Sequence, residues 1–339
     1  MTDEPNSNSR RVAIERLFKH GGDINSAIAA FPDAPRPWID LSTGLNPVAY
    51  PLPELPHEVW TRLPAPAALE ALQAVAARAY GAAPECVAAA AGTQAILQIL
   101  PHLFSARRVS ILGPTYEEHA RTWMGASAEV EIVGDLEAAM AEQVVISNPN
   151  NPDGRIFSRA QMSAYARQLA REGRRLIVDE AFMDFEGQSV AGEELPATIV
   201  LRSFGKAYGL AGVRLGFAIA PPPIAAKLRA ALGPWPVSGP AIAIGRQALA
   251  DADWLAAARR RLEIDAGWLD DALADAGFEI VGRTRLFRLV RRPDAAERFA
   301  WLGSHGILTR PFRWDSGLLR FAIPIEEQRA RIADALKST

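Results

Sequence analysis

Lys206 and Arg214 stand eight residues apart in "SFGKAYGLAGVRLG", a stretch otherwise made of small and apolar residues. Glycine and alanine let a backbone come close to a ligand, and two cations in such a setting point to an anion or an electrophile. A lysine attacks a carbonyl carbon when desolvation or a neighbouring cation lowers its pKa, and Arg214 is a candidate neighbour. A lysine alone reads as a solvated surface residue. Set among Ser203, Gly205, Gly209, Gly212 and Arg214, Lys206 reads as a nucleophile. More polar residues stand where apolar runs end: Thr93 after Gly92 in "AGTQAIL", Asn148 and Asn151 in "SNPNNPDG", and Asp179 in "LIVDEAF". A strand-to-helix turn at Gly92 leaves backbone N–H groups at a helix N-terminus, an arrangement that binds phosphate.

These residues meet only if the runs that carry them are neighbouring strands. "CVAAAA", "RRVSILG", "EQVVIS", "RRLIVDEAF", "ATIVLRS" and "VRLGFAIA" are short and apolar, as strands buried on both faces are. Helical patterns alternate with them, at Pro66–Tyr80 before Gly81, after Gly92, and after a Ser158 cap. The alternation predicts an α/β fold with a mostly parallel sheet flanked by helices, whose sites lie beyond the carboxyl ends of the strands. The texture changes after "PPP" at 221–223. A helix near 224–232, one long helix over 240–276, "FEIVGRTRLFRLV", a helix near 294–304, "GILTRP" and "GLLRFAIP" predict a smaller α+β domain. The boundaries expected are an N-terminal arm over 1–45, a large domain over 46–222 and a small C-terminal domain over 223–339. The first eleven residues read as disordered.

Composition excludes other classes. The chain has 339 residues, 49% hydrophobic and 22% charged, with a net charge of −2 and no basic stripe. Nucleic acid is therefore not an expected partner. The single cysteine, Cys86, permits no disulfide framework within the chain and is expected to pack as a small apolar residue. The five histidines show no metal-ligand spacing, and Glu117-Glu118-His119 reads as a solvated turn. There is no apolar run long enough to span a membrane and no signal-peptide pattern at the start, so a cytoplasmic enzyme or binding protein is expected. No DNA-binding module accompanies the motifs, which argues against a cofactor-bearing regulator.

"SFGKAYGLAGVRLG" resembles the lysine motif of the fold-type I pyridoxal-phosphate enzymes, in the aspartate and histidinol-phosphate aminotransferase branch. "SNPNNPDG" and "LIVDEAF" look like that branch's other motifs, in the same order and spacing, and the similarity runs from about residue 38 to the C-terminus. The resemblance implies pyridoxal 5'-phosphate as cofactor. Lys206 would carry it as a Schiff base and later move the proton. Asp179 would pair with the pyridine nitrogen, and Asn151 would bond the 3′-oxygen. Ser203, Arg214 and the N–H groups after Gly92, those of Thr93 and Gln94, would hold the phosphate. Tyr116 would stack on the ring, and Arg320, in "LLRFAIP", would fork onto a substrate carboxylate. Residues 60–66 and the proline-rich arm resemble segments that cross to a partner subunit, implying a homodimer with shared active sites.

Two positions depart from the branch. Phe182 stands where a tyrosine usually follows the aspartate by three residues, and Leu63 replaces the tyrosine of an "RYP" step. Two hydroxyls near the cofactor are thereby missing. The arm, "HGGDINSAIAAFP" followed by "WIDLSTGLNP", resembles the threonine-phosphate decarboxylases, a cobalamin-pathway group within the family. That implies a phosphorylated amino acid as substrate and loss of carbon dioxide from L-threonine O-3-phosphate. Its carboxylate and phosphate both need cations or donors. Gly44, His20 with Lys19 beside the "HGG" turn, and Arg310 and Arg313 in "LTRPFRW" are candidates beside Arg320. The runner-up is an aminotransferase of the histidinol-phosphate type. The difference is geometric: the bond held perpendicular to the cofactor ring is the one that breaks, and the same residues serve either outcome.

Overall fold

The computed structural model describes residues 7–337. The chain forms two compact units. One is Ala49–Ala257; the other joins the chain up to Val48 with the chain from Ala258 onward.

The first unit is built on a seven-stranded sheet in the order Val87–Ala90, Gly216–Ile219, Thr198–Ser203, Arg175–Asp179, Gln143–Ser147, Arg108–Leu112, Glu129–Val133. Gly216–Ile219 runs against both neighbours, and the remaining pairs are parallel. The central strands are β-branched and uninterrupted, and every residue of Gln143–Ser147 is buried. Ile96, Leu100, Val109, Ile111, Val145, Ile177 and Ile199 form one core beneath it. The flanking helices end where the sequence says. Pro66–Tyr80 stops at Gly81, which takes a left-handed φ of 72°. Arg159–Arg171 starts on a capping box in which Ser158 Oγ accepts from Gln161 N while the Gln161 side chain accepts from Ser158 N.

Two helices expected in the smaller domain belong to this unit: Pro222–Leu232 and Gly239–Ala250. Gly245 explains the second. A Cβ there would lie 2.4 Å from Leu215 Cδ2 and 3.1 Å from Leu72 Cδ1, so this helix packs on Pro66–Tyr80 at close range. The single long helix expected over 240–276 is in fact two, Gly239–Ala250 and Ala252–Asp275. Asp251 breaks it, leaving helical geometry at ψ 75° while its carboxylate accepts from Trp254 N at 2.9 Å.

The second unit holds a four-stranded antiparallel sheet, ordered Arg310–Pro311, Leu318–Ala322, Phe287–Arg291, Glu279–Thr284. The arm is integral to it. Ile39–Asp40 pairs in parallel with Ile307–Leu308, and Ala322 N donates to Leu41 O at 2.8 Å. The disorder expected over the first eleven residues does not hold for residues 7–11, which lie in the helix Ser7–Leu17; residues 1–6 lie outside the described residues. Among the described residues, no helix is long and apolar enough to cross a membrane, and no cluster of His, Cys, Asp and Glu is placed to hold a metal ion.

Candidate active site

Strand register decides which side chains meet in the first unit. Ser147 pairs with Asp179, and Asp179 pairs with Leu201. Ser203 pairs with Gly216, and Gly216 pairs with Ala90, two residues before Gly92. The ends of five strands thus lie in one row, and the polar residues read from the sequence follow them.

Asp179 is buried. Its Oδ1 accepts from Ala181 N at 3.0 Å, and its Oδ2 lies 3.0 Å from His119 Nε2. A ring nitrogen facing a carboxylate is the donor, so His119 Nε2 donates to Asp179; its Nδ1 is buried with no hydrogen-bond partner among the described residues. Ser147 Oγ lies 3.4 Å from the same Nε2 and accepts from Thr115 Oγ1 at 2.9 Å. This corrects the reading of Glu117-Glu118-His119 as a solvated turn. Glu117 does pair with Arg121 on the surface, but His119 is 1% exposed. It opens the helix Glu118–Gly125, whose inner face points at the sheet. An apolar side chain every three or four residues would have marked that face, but here the inward residues are His119, Thr122 and Trp123, a weak signal.

At the other end of the row, Gly92 takes φ 84° and begins the helix Thr93–Leu103. A Cβ on Gly92 would lie 2.7 Å from Arg214 Nη2, and one on Gly216 would lie 2.5 Å from Thr93 N. Gly216 clears space beside the first N–H group of the helix, and Gly92 clears space for the Arg214 guanidinium. Arg214 itself is left-handed at φ 55°, an uncommon conformation for a residue with a side chain. Ser203 closes the strand between this corner and the helix Phe204–Ala207, which carries Lys206.

Tyr116 and Gln94 join the two ends. The Tyr116 hydroxyl donates to Gln94 Oε1 at 3.4 Å, Gln94 Nε2 donates to Glu118 Oε2 at 3.2 Å, and the Tyr116 ring stands edge-on to His119. Burial, then the nearby Glu118 and Asp179 carboxylates, push the Tyr116 hydroxyl up to about 12. Asn151 is half-buried in the turn after Gln143–Ser147. Its neighbours hold that turn: Asn150 Nδ2 donates to Pro114 O and Asp153 Oδ1, and Asn148 Oδ1 accepts from Phe157 N. Lys206 Nζ lies 4.6 Å from the centroid of the Phe182 ring.

Pyridoxal phosphate asks for a carboxylate at its ring nitrogen, an amine for its carbonyl and a side-chain-free cradle of donors for its phosphate. Asp179 with its two donors, Lys206 and the Gly92–Gly216 corner meet all three demands, and the donor set fits the group.

In the second unit Arg320 is 6% exposed, and its Nη2 donates to Ser42 O at 2.8 Å. Its cross-strand partner is Arg310, and like charges placed opposite each other repel. Burial, then Arg310, lower the Arg320 guanidinium to about 9, with Asp40 opposing them. The "HGG" turn reaches the same place: a Cβ on Gly21 would lie 2.3 Å from Ser42 O, and Gly22 N donates to Ser42 Oγ at 2.8 Å. Gly44 is buried two residues on. Arg310 donates to Leu17 O and Lys19 O, and Arg313 to Glu15 O, so both guanidiniums close the carbonyl end of the helix Ser7–Leu17. Lys19 and His20 are exposed.

Three outcomes follow from this geometry. Gly216→Ala sets a methyl against backbone that cannot swing away, and titration of the cofactor-free protein should show pyridoxal phosphate bound about tenfold more weakly or worse, as a cost of over 1 kcal/mol implies. His119→Ala strips a donor from a buried carboxylate, and chemical denaturation should show a loss of about 1–3 kcal/mol. A group whose pKa is raised to about 12 stays protonated below that pH, so the Tyr116 hydroxyl remains a donor throughout the working range. Tyr116→Phe should therefore leave the alkaline limb of the pH–rate profile where it is; a shifted limb would mean that this hydroxyl titrates in turnover.

Known proteins are similar to this chain. Threonine-phosphate decarboxylase from Sinorhizobium sp is 44% identical over 324 residues, covering 94% of this chain and 97% of that protein. Threonine-phosphate decarboxylase from Pseudomonas aeruginosa is 39% identical over 327 residues, with the same coverage of 94% and 97%. The crystal structure of histidinol-phosphate aminotransferase from Sinorhizobium meliloti, in complex with pyridoxal-5'-phosphate, superposes with a TM-score of 0.80 at 21% identity, covering 93% of both chains. The sequence model of aminotransferase class I and II matches residues 47–336, from the end of the arm to the last helix, and the chain belongs to that family.

Proposed function

We propose that this chain catalyses the pyridoxal-phosphate-dependent decarboxylation of L-threonine O-3-phosphate to (R)-1-amino-2-propanol O-2-phosphate, in cobalamin biosynthesis. The observation that carries the reading is the identity of 44% and 39% with two threonine-phosphate decarboxylases along almost the whole of each chain. The buried Arg320 supports it, since a guanidinium set opposite Arg310 gains most from an anion such as a carboxylate.

When bound, pyridoxal phosphate supplies a protonated ring that accepts the electron pair of the bond broken at the substrate's α-carbon. The chain's own residues do the rest. Asp179, aimed by His119 and Ala181 N, holds the proton on the ring nitrogen. The N–H groups of Thr93 and Gln94, with Ser203 and Arg214, would hold the cofactor's phosphate, Asn151 would bond its 3′-oxygen, and Tyr116 would pack against the ring. Arg320 is the proposed partner of the substrate carboxylate, which a guanidinium binds as a planar fork. Gly44, His20, Lys19, Arg310 and Arg313 are the candidates for the substrate's phosphate. Lys206 Nζ returns a proton to the carbon that carbon dioxide leaves.

We also propose a homodimer. Leu52, Trp60, Leu63 and Trp235 are exposed, Trp60 by 64% and Leu63 by 69%. A Cβ on Gly239 would lie 2.4 Å from Val59 O, so the segment Glu58–Thr61 rests on the start of the helix that Trp235 precedes. Large apolar side chains left exposed mark a candidate interface.

The deciding assay measures carbon dioxide released from L-threonine O-3-phosphate with no oxo-acid acceptor present. Gas release supports the lyase; amino transfer that needs an acceptor and releases no gas makes the chain an aminotransferase instead. Arg320→Ala should lose roughly 2–4 kcal/mol of transition-state binding, about thirty- to a thousand-fold in kcat/KM, while keeping the cofactor's colour. Trp60→Glu should convert the dimer to a monomer in sedimentation; an unchanged mass would place the interface elsewhere.

A further inference from the structure

The helix that carries Lys206, Phe204–Ala207, has four residues, too few to hold its own shape. Aromatic packing shapes it instead. Phe204 stacks on Tyr208 at 4.5 Å, Tyr208 stacks on Trp254 at 5.6 Å, and Tyr50 closes edge-on against both Tyr208 and Trp254. Tyr50 N donates to Tyr208 O at 2.8 Å, and the Tyr50 hydroxyl donates to Asp251 Oδ2 at 3.2 Å. On the other side, a Cβ on Gly205 would lie 2.8 Å from Ala211 Cα. The Lys206 backbone is thus clamped, and only its side chain is left to be placed.

That side chain meets a ring. Phe182 is 5% exposed, and Nζ stands 4.6 Å from its centroid, inside the range of about 6 Å over which an aromatic face attracts a cation. The turn that presents Asp179 also presents this ring. Ala181 N is bound to Asp179 Oδ1, and Met183 N donates to Glu180 O at 3.1 Å. Phe182 is also the position at which the sequence departs from the tyrosine usual in its branch.

We propose that Phe182 is a positioning residue that favours Lys206 Nζ as an ammonium while the lysine is released from the cofactor and has not yet given up its proton. The proposal rests on Lys206 being the cofactor lysine. The step it serves is one proton transfer. The Nζ–H bond breaks, the carbon left by carbon dioxide takes the proton, and nitrogen keeps the electron pair. A ring face suits that step, because it attracts the charge without accepting any of the N–H groups in a strong hydrogen bond. The other charged and titratable groups carried to this end of the sheet are Asp179, His119, Tyr116, Glu118, Tyr208 and Arg214, and the variants below leave all of them in place.

The test is pH-dependent trace labelling of Lys206 in the full-length, cofactor-free chain, read by peptide mass spectrometry, for wild type, Phe182→Leu, Phe182→Met and Phe182→Tyr. Phe182→Leu removes the ring and keeps the site apolar. It should lower the lysine's pKa by roughly 0.5–1 unit, and Phe182→Met should do the same if the leucine variant does not fold. Phe182→Tyr keeps the ring and should keep the wild-type value. In the cofactor-loaded enzyme, Phe182→Leu should lower kcat severalfold and leave KM nearly unchanged. A lysine pKa that does not move in a folded Leu or Met variant overturns the proposal. Borohydride reduction of the wild-type holoenzyme separates the two readings: a label that fails to appear on Lys206 overturns its assignment as cofactor lysine, whatever Phe182 does.

Discussion

Burying the Asp179 side chain is the constraint on which the first unit turns. A carboxylate at the end of a central strand, here between Ser147 and Leu201, is shut off from solvent, and removing it from water is costly unless donors replace the water. Two do, Ala181 N from its own turn and His119 Nε2 from the helix Glu118–Gly125. His119 must then be buried as well, and Ser147 from the adjoining strand lies beside it. Three segments are therefore bound to one register. A slip of one residue would turn Asp179 to the opposite face and leave His119 with no partner there.

The opposite face carries the complementary device. Glu180, the residue after Asp179, accepts from Ser189 Oγ, Val190 N and Arg202 Nη1. Arg202, the residue before Ser203, also donates to Asp184 Oδ1 at 2.6 Å and lies over the Tyr80 ring. Burial raises the Glu180 carboxyl; burial would lower the Arg202 guanidinium, but Asp184 and Glu180 outweigh it and hold the guanidinium charged. Buried ion pairs of this kind add little net stability. They specify geometry, and here they tie the turn after one strand to the end of the next. Asp179 and Ser203 stand on that tie, one residue to either side, and so inherit a fixed spacing.

Much of this was legible in the sequence because buried parallel strands are written as plain apolar runs. Glycines with a steric duty, such as Gly92 and Gly81, also mark their own turns. What escaped has physical reasons. The edge strand Glu129–Val133 carries glutamates, as exposed edges do, and these interrupt the apolar run. His119 is hidden in the sequence because two glutamates precede it, and only the tertiary fold shows that the helix turns it inward. The break at Asp251 lay hidden in a run of good helix formers, since a single side-chain cap outweighs propensity there. Helix Gly239–Ala250 was placed in the wrong unit because its partner, Leu72, lies far away in sequence.

The two units offer an anion different candidate donors. At Gly92 and Gly216 the absence of side chains leaves backbone N–H groups open beside the Arg214 guanidinium. Such a cradle needs no reorganisation and suits a group that stays bound, as a cofactor's phosphate does. At Arg320 the donor is a buried guanidinium set across a ladder from Arg310, with Asp40 as partial compensation. That charge is held at a cost which an arriving anion relieves. The relief is available only while the anion is there, so binding energy is large on arrival and the site reverts on departure. A carboxylate that enters with each substrate and leaves as carbon dioxide suits this arrangement.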